Sequence, residues 1–153
     1  MRIAKSSTAS APVTILLVDD NKMGLAARRV LLEELGHTVF TATNGMDALA
    51  AVEANTFDLL ITDWKMPKLD GIELISRLRE NGCAFPIIML SGFANTAGMR
   101  DDQTGADAVI QKSANEVQML LSTVKRLLTR KPVRKPPASQ PAIKTIKLKT
   151  KIV

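Results

Sequence analysis

A chain of 153 residues is the length of one domain with short tails, and 46% hydrophobic residues with only 3% aromatic ones give it an aliphatic core. The formal charge of +6 is uneven: 13 basic and 15 acidic residues fall before position 130, whereas Arg130, Lys131, Arg134, Lys135, Lys144, Lys147, Lys149 and Lys151 follow with no acid among them. A lone Cys83 excludes an intramolecular disulfide, and no apolar run nears the ~20 residues of a membrane helix or forms a signal-peptide core, so a cytoplasmic protein is expected.

Residues 1–12 lack apolar periodicity and read as a disordered leader. Thr14 to Val18 forms an apolar strand running into Asp19-Asp20-Asn21. Asn21 can cap a helix whose apolar positions include Met23, Ala27, Val30, Leu31 and Leu35, with Gly36 as its left-handed stop. His37 then reads as a turn residue, Thr38 to Thr41 as a short strand, and Asn44 as the start of a helix carrying Ala48, Leu49 and Val52. Leu59 to Thr62 is a third strand, ending at Asp63.

Asp70-Gly71-Ile72-Glu73 has capping-box spacing and leads a helix with Ile72, Leu74, Ile75 and Leu78, stopped by Asn81-Gly82. Pro86 to Leu90 is a fourth strand and meets Ser91-Gly92. Segment 93–105 is expected to be a crossover helix of low intrinsic stability, because Gly98 and Ala94-Asn95-Thr96-Ala97 favour it little. Ala108 to Gln111 is the last strand and meets Lys112. Ser113-Ala114-Asn115-Glu116 repeats the capping-box spacing, and Val117, Leu120, Leu121, Val124, Leu127 and Leu128 follow at helical spacing. Pro132 and Pro136-Pro137 close a domain over 13–130 and leave 131–153 as a basic Pro/Lys-rich tail.

Strand and helix alternate five times, which predicts an α/β fold with a parallel sheet between two helical layers. Such sheets place their sites at the carboxyl edge. Asp19, Asp20, Asp63, Ser91 and Lys112 all stand at strand ends, so three acids, a hydroxyl and an ammonium would share one pocket suited to a divalent cation and a phosphoryl group. Each taken singly has a plainer reading: a helix cap for Asp-Asp-Asn, a snorkelling lysine, a serine that begins a turn. The conjunction carries the weight.

Asp63-Trp64-Lys65-Met66-Pro67-Lys68-Leu69-Asp70-Gly71 resembles the segment around the phosphoacceptor of receiver domains in bacterial two-component response regulators, of the single-domain, chemotaxis type. Asp19-Asp20, Ser91 and Lys112 match the family's other signature positions in order, and the resemblance covers roughly residues 13–130. It implies a flavodoxin-like fold, a five-stranded sheet of order 2-1-3-4-5 in three α/β/α layers. It further implies that Asp63 accepts a phosphoryl group from a histidine kinase or histidine phosphotransfer protein. By the same resemblance Mg²⁺ is the cofactor, bound by Asp20, Asp63 and the main-chain carbonyl of Lys65, with Asp19 acting largely through water.

Two positions depart from the family pattern. Val109 stands where many receivers carry an aromatic switch residue, and Ser113 where proline often follows the lysine, so the usual ring reporter and cis peptide are expected to be absent. Ser91 and Val109 are thus the switch positions, with output expected mainly through segment 93–105. Lys65 and Phe93 occupy positions that tune dephosphorylation in the family.

In the tail, Ile146, Leu148 and Ile152 alternate with Lys147, Lys149 and Lys151, one apolar and one cationic face if extended. A solvated tail, an acidic partner surface and, less favoured, nucleic acid or anionic membrane are the open readings. A stand-alone regulator without a DNA-binding domain, signalling to an unidentified output protein, is expected. The alternative is a phosphorelay receiver from a hybrid kinase. A phosphatase is disfavoured, because Lys65 stands where such enzymes carry a second acid.

Overall fold

Continuous aliphatic runs are stable as strands only when both faces are covered, and the structure shows that arrangement. The computed structural model describes residues 11–92 and 104–129. Strands β1 (Thr14–Val18), β2 (Thr38–Ala42), β3 (Leu59–Asp63), β4 (Ile87–Ser91) and β5 (Ala108–Gln111) pair in parallel, in the order β2-β1-β3-β4-β5. Helices α1 (Lys22–Glu34), α2 (Gly45–Ala54), α3 (Gly71–Glu80) and α4 (Glu116–Thr129) cover the two faces. This is the flavodoxin-like order expected, and no helix among the described residues is long and apolar enough to cross a membrane.

Alternation along each strand divides the core in two. Ile15, Leu17, Ile61, Ile88 and Ile110 meet Leu25 and Leu32 of α1 and Leu120, Val124 and Leu127 of α4. On the other face Leu16, Val18, Leu60, Ile87 and Met89 meet Ala48 of α2 and Leu74, Ile75 and Leu78 of α3. Most of these side chains are fully buried, each contributing roughly 1.5–3 kcal/mol of transfer free energy.

Local signals fix the helix ends. Asn21 Oδ1 accepts from the Met23 and Gly24 amides, Asn44 Oδ1 from Asp47, and Asp70 Oδ1 from Glu73, each cap stabilising by about 1 kcal/mol. The chain leaves α1 through Gly36 at φ 98°, with the Gly36 amide bonded to Glu33 and the His37 amide to Leu32.

Two expectations need correction. Met23, Val30 and Leu35 of α1 are exposed, and its core side is Leu25, Arg28 and Leu32. Apolar residues occur on more than one side of this helix, so spacing alone does not choose the buried one. The second capping box does not form: Ser113 Oγ accepts from the Asn115 amide and α4 begins only at Glu116, whose carboxylate is drawn to Arg28 instead. Val117 is consequently exposed in the first turn. The Lys112–Ser113 peptide is trans, in keeping with the missing proline. The leader up to residue 10, segment 93–103 with Phe93, and the tail from residue 130 lie outside the described residues.

Candidate functional site

Register places the polar residues. Val18 pairs with Thr62, Asp63 with Leu90, and Ser91 with Gln111, so the residues ending β1, β3, β4 and β5 emerge along one edge. There Asp19, Asp20 and Asp63 each bring a carboxylate oxygen within 4.8 Å of the others. Asp19 and Asp63 are buried, and Asp20 is exposed. Close carboxylates out of water repel one another, and hard oxygen donors so grouped suit Mg²⁺.

Lys112 closes the group from β5. Its Nζ lies 2.9 Å from Asp63 Oδ1 and 3.9 Å from Asp19 Oδ2, held by the Lys112 amide bonding to the Ser91 carbonyl at 2.7 Å. The Trp64 amide also donates to Asp63 Oδ1, at 3.0 Å. Burial raises the Asp63 pKa above its ordinary value; the Lys112 bond opposes this and the Asp19 charge adds to it. An ionised Asp63 is therefore a strained anion, ready to gain from an incoming cation or electrophile.

Ser91 is fully buried at the end of β4, its hydroxyl 3.3 Å from the Gly92 carbonyl. Val109, one strand over, is partly buried and packs against the core under α2 and α3. Lys65 is exposed, and its ammonium stands 4.3 Å from the centre of the Trp64 ring, a cation–π contact rather than a bond to the acids.

The loop after β3 is tightly built. Lys68 has φ 72°, and the Leu69 amide bonds back to the Pro67 carbonyl at 2.8 Å, a γ-turn that drives Leu69 into the core. The Gly71 amide returns to the Trp64 carbonyl at 2.7 Å, so close that a Cβ on Gly71 would meet the Asp63 carbonyl oxygen. Leu69 and Gly71 thus lock the backbone on which Asp63 sits.

Sequence reasoning missed Arg28 and Glu116. Arg28 Nη1 is 2.6 Å from Asp19 Oδ2, and its Nε is 2.6 Å from Glu116 Oε2. The signal available was a charged residue three positions after Leu25 and four before Leu32, in the middle of an apolar stripe.

Comparison with known proteins agrees with the geometry. A family model described as response regulator receiver domain matches residues 15–124. The gliding motility regulatory protein of Myxococcus xanthus is 36% identical over 129 residues, which is 82% of this chain and 17% of that protein. The chain spans no more than about half the length of the first curated relatives it matches. Response regulator protein TrrA of Thermotoga maritima, solved in complex with Mg²⁺-BeF, superposes with a TM-score of 0.67 at 31% identity, over 74% of this chain and 97% of that one. The signal receiver domain of a signal transduction histidine kinase from Syntrophus aciditrophicus gives a TM-score of 0.70 at 30% identity, over 84% and 97%. With the carboxyl-edge acids, the lysine opposite them and a family match over most of the chain in agreement, this protein belongs to the response regulator receiver domains of two-component signalling.

Proposed function

We propose that the chain is a phosphorylation switch: Asp63 accepts a phosphoryl group from a histidine of a partner kinase or phosphotransfer protein, and the modified site signals to an output protein. The observation that carries this reading is the Lys112 ammonium 2.9 Å from Asp63, beside two further carboxylates within 4.8 Å.

Asp20, Asp63 and the Lys65 carbonyl would hold Mg²⁺, and the ion would supply positive charge to offset the oxygens of an entering phosphoryl group. An Asp63 carboxylate oxygen bonds to phosphorus as the phosphorus–nitrogen bond of the phosphohistidine breaks, and the imidazole nitrogen leaves with the bonding pair. Lys112 then moves its charge from the carboxylate to the phosphoryl oxygens. The buried Ser91 hydroxyl exchanges its weak 3.3 Å contact with Gly92 for one of those oxygens. Val109 packs beside that strand and carries the movement outward by steric fit instead of by a ring flip. The work is positioning and electrostatics, and its product is a changed surface rather than a released metabolite.

Residues 13–130 are the working unit, and the basic segment 131–153 is read as a contact for an acidic partner surface. A second reading, a relay receiver passing its phosphoryl group on to a histidine phosphotransfer protein, is favoured by the likeness to the kinase-derived receiver from Syntrophus. The test is incubation with a small acyl phosphate, with and without Mg²⁺, followed by intact mass measurement. One phosphoryl group should be gained, only with Mg²⁺, and lost in Asp63→Asn. An adduct that persists in Asp63→Asn contradicts the reading.

A further inference from the structure

Arg28 lies on the core side of α1, where its neighbours Leu25 and Leu32 are buried aliphatics. A guanidinium placed there is costly unless both its bonds and its charge are met. They are met twice, by Asp19 on one side and Glu116 on the other, in a group whose side chains are only 11%, 2% and 13% exposed respectively. Room for it comes from Gly24, one turn earlier: a Cβ there would lie 3.1 Å from Arg28 Nη1 and 3.5 Å from Asp19 Oδ2.

Asp19 is therefore fully engaged. Its Oδ1 accepts from the Asn21 amide at 2.9 Å, and its Oδ2 accepts from Arg28 and faces Lys112. An acid of the metal cluster already has a cation of its own, fixed by a planar fork that reaches two carboxylates at once. That cation also ties the end of β1 to the first residue of α4.

We propose that Arg28 is a resident counter-cation that competes with Mg²⁺ for the charge of Asp19, setting the metal affinity of the cluster, and that Glu116 tunes it by drawing the guanidinium the other way. This rests on the reading of Asp19, Asp20 and Asp63 as the Mg²⁺ site. Two cations sharing one buried carboxylate repel, so every increment of Arg28 charge on Asp19 weakens the metal. Glu116 shares that charge, so its carboxylate favours Mg²⁺ from outside the site. Metal uptake in turn leaves Arg28 leaning on Glu116, coupling the site to the start of α4.

The experiment is Mg²⁺ titration of the full chain at fixed ionic strength, followed by calorimetry and by fluorescence of Trp64, the only tryptophan. Arg28→Met should bind Mg²⁺ about tenfold more tightly than the wild type, and Arg28→Lys should stay close to it. Glu116→Gln should bind several-fold more weakly, and this loss should disappear in the Arg28→Met background, because Glu116 acts through the guanidinium. A merely structural Arg28 would give the opposite sign, since loosening Asp19 would weaken the metal. Equal or weaker binding by a folded Arg28→Met overturns the inference, as does a Glu116→Gln effect that survives without the arginine. If Arg28→Met does not fold, unchanged or tighter binding by Glu116→Gln overturns it and weaker binding supports it. Should the wild type bind no Mg²⁺, the metal-site reading falls and this inference with it; wild-type binding with Arg28→Met unaltered sinks this inference alone.

Discussion

Lys112, the first residue after β5, reaches Asp63, the last residue of β3, across the end of the strand between them, and the two side chains meet at 2.9 Å. That contact only partly offsets what burial costs the carboxylate, because the Asp63 pKa remains above its ordinary value. A raised carboxyl pKa in the fold means that the protonated form is favoured there. Asp63 therefore contributes stability below its unfolded value of 3.8 and loses it as pH rises through the folded value.

Asp63→Asn should accordingly stabilise the protein at pH 7 by about 1 kcal/mol, a Tm rise of about 4 °C. The gain should shrink as pH falls and vanish below 3.8, where wild-type Asp63 becomes protonated in both states. Thermal melts of the two proteins across pH check this. A destabilised variant at pH 7 would show that the Lys112 pair, not burial, dominates.

His37 makes a second pH-dependent contribution, at the opposite end of the sheet. It is buried and its Nδ1 accepts from the Val13 amide at 3.2 Å, so it serves as more than the turn residue expected of it. Burial lowers its pKa from 6.5, so the unfolded chain binds a proton that the fold resists. Stability is full above 6.5 and falls as pH drops through the window below it. Urea midpoints should decline from pH 7 to about 5.5, and His37→Gln should flatten that decline. Equal slopes in both proteins would exonerate His37.

The γ-turn after Asp63 stores backbone strain at Lys68, whose φ of 72° suits glycine better than any residue with a Cβ. Lys68→Gly should stabilise the fold by about 0.5–1 kcal/mol despite the entropy glycine adds to the unfolded chain. Chemical denaturation reads this directly, and a loss of stability would mean that the Lys68 side chain contributes more than the strain costs.

Gly71→Ala tests the same loop in the other direction. The new Cβ would meet the Asp63 carbonyl oxygen and lie 3.0 Å from the Trp64 Cα, both main-chain atoms that cannot swing away. A loss of about 2 kcal/mol is expected, with weaker Mg²⁺ binding because Asp63 shifts with its backbone. A variant as stable as the wild type would show that the loop yields easily.

Much of this architecture was legible in the residues. β1, β3 and β4 are buried on both faces, so their sequences are unbroken aliphatic runs whose ends were marked by Asp19, Asp63 and Ser91. Caps at Asn21, Asn44 and Asp70 are local, and local chemistry reads well from sequence. What failed was tertiary in origin. The buried side of α1 depends on Arg28 reaching Asp19, and the late start of α4 depends on Glu116 meeting that same arginine 88 residues away. No spacing rule within either helix contains that pairing.

The central claim is that Asp63, among the three clustered acids, carries the phosphoryl group. The direct measurement is to phosphorylate the chain with a small acyl phosphate and Mg²⁺, reduce the acyl phosphate with borohydride, and locate the resulting homoserine by peptide mass spectrometry. The account predicts homoserine at position 63 alone. Conversion at Asp19 or Asp20, with Asp63 intact, would contradict it.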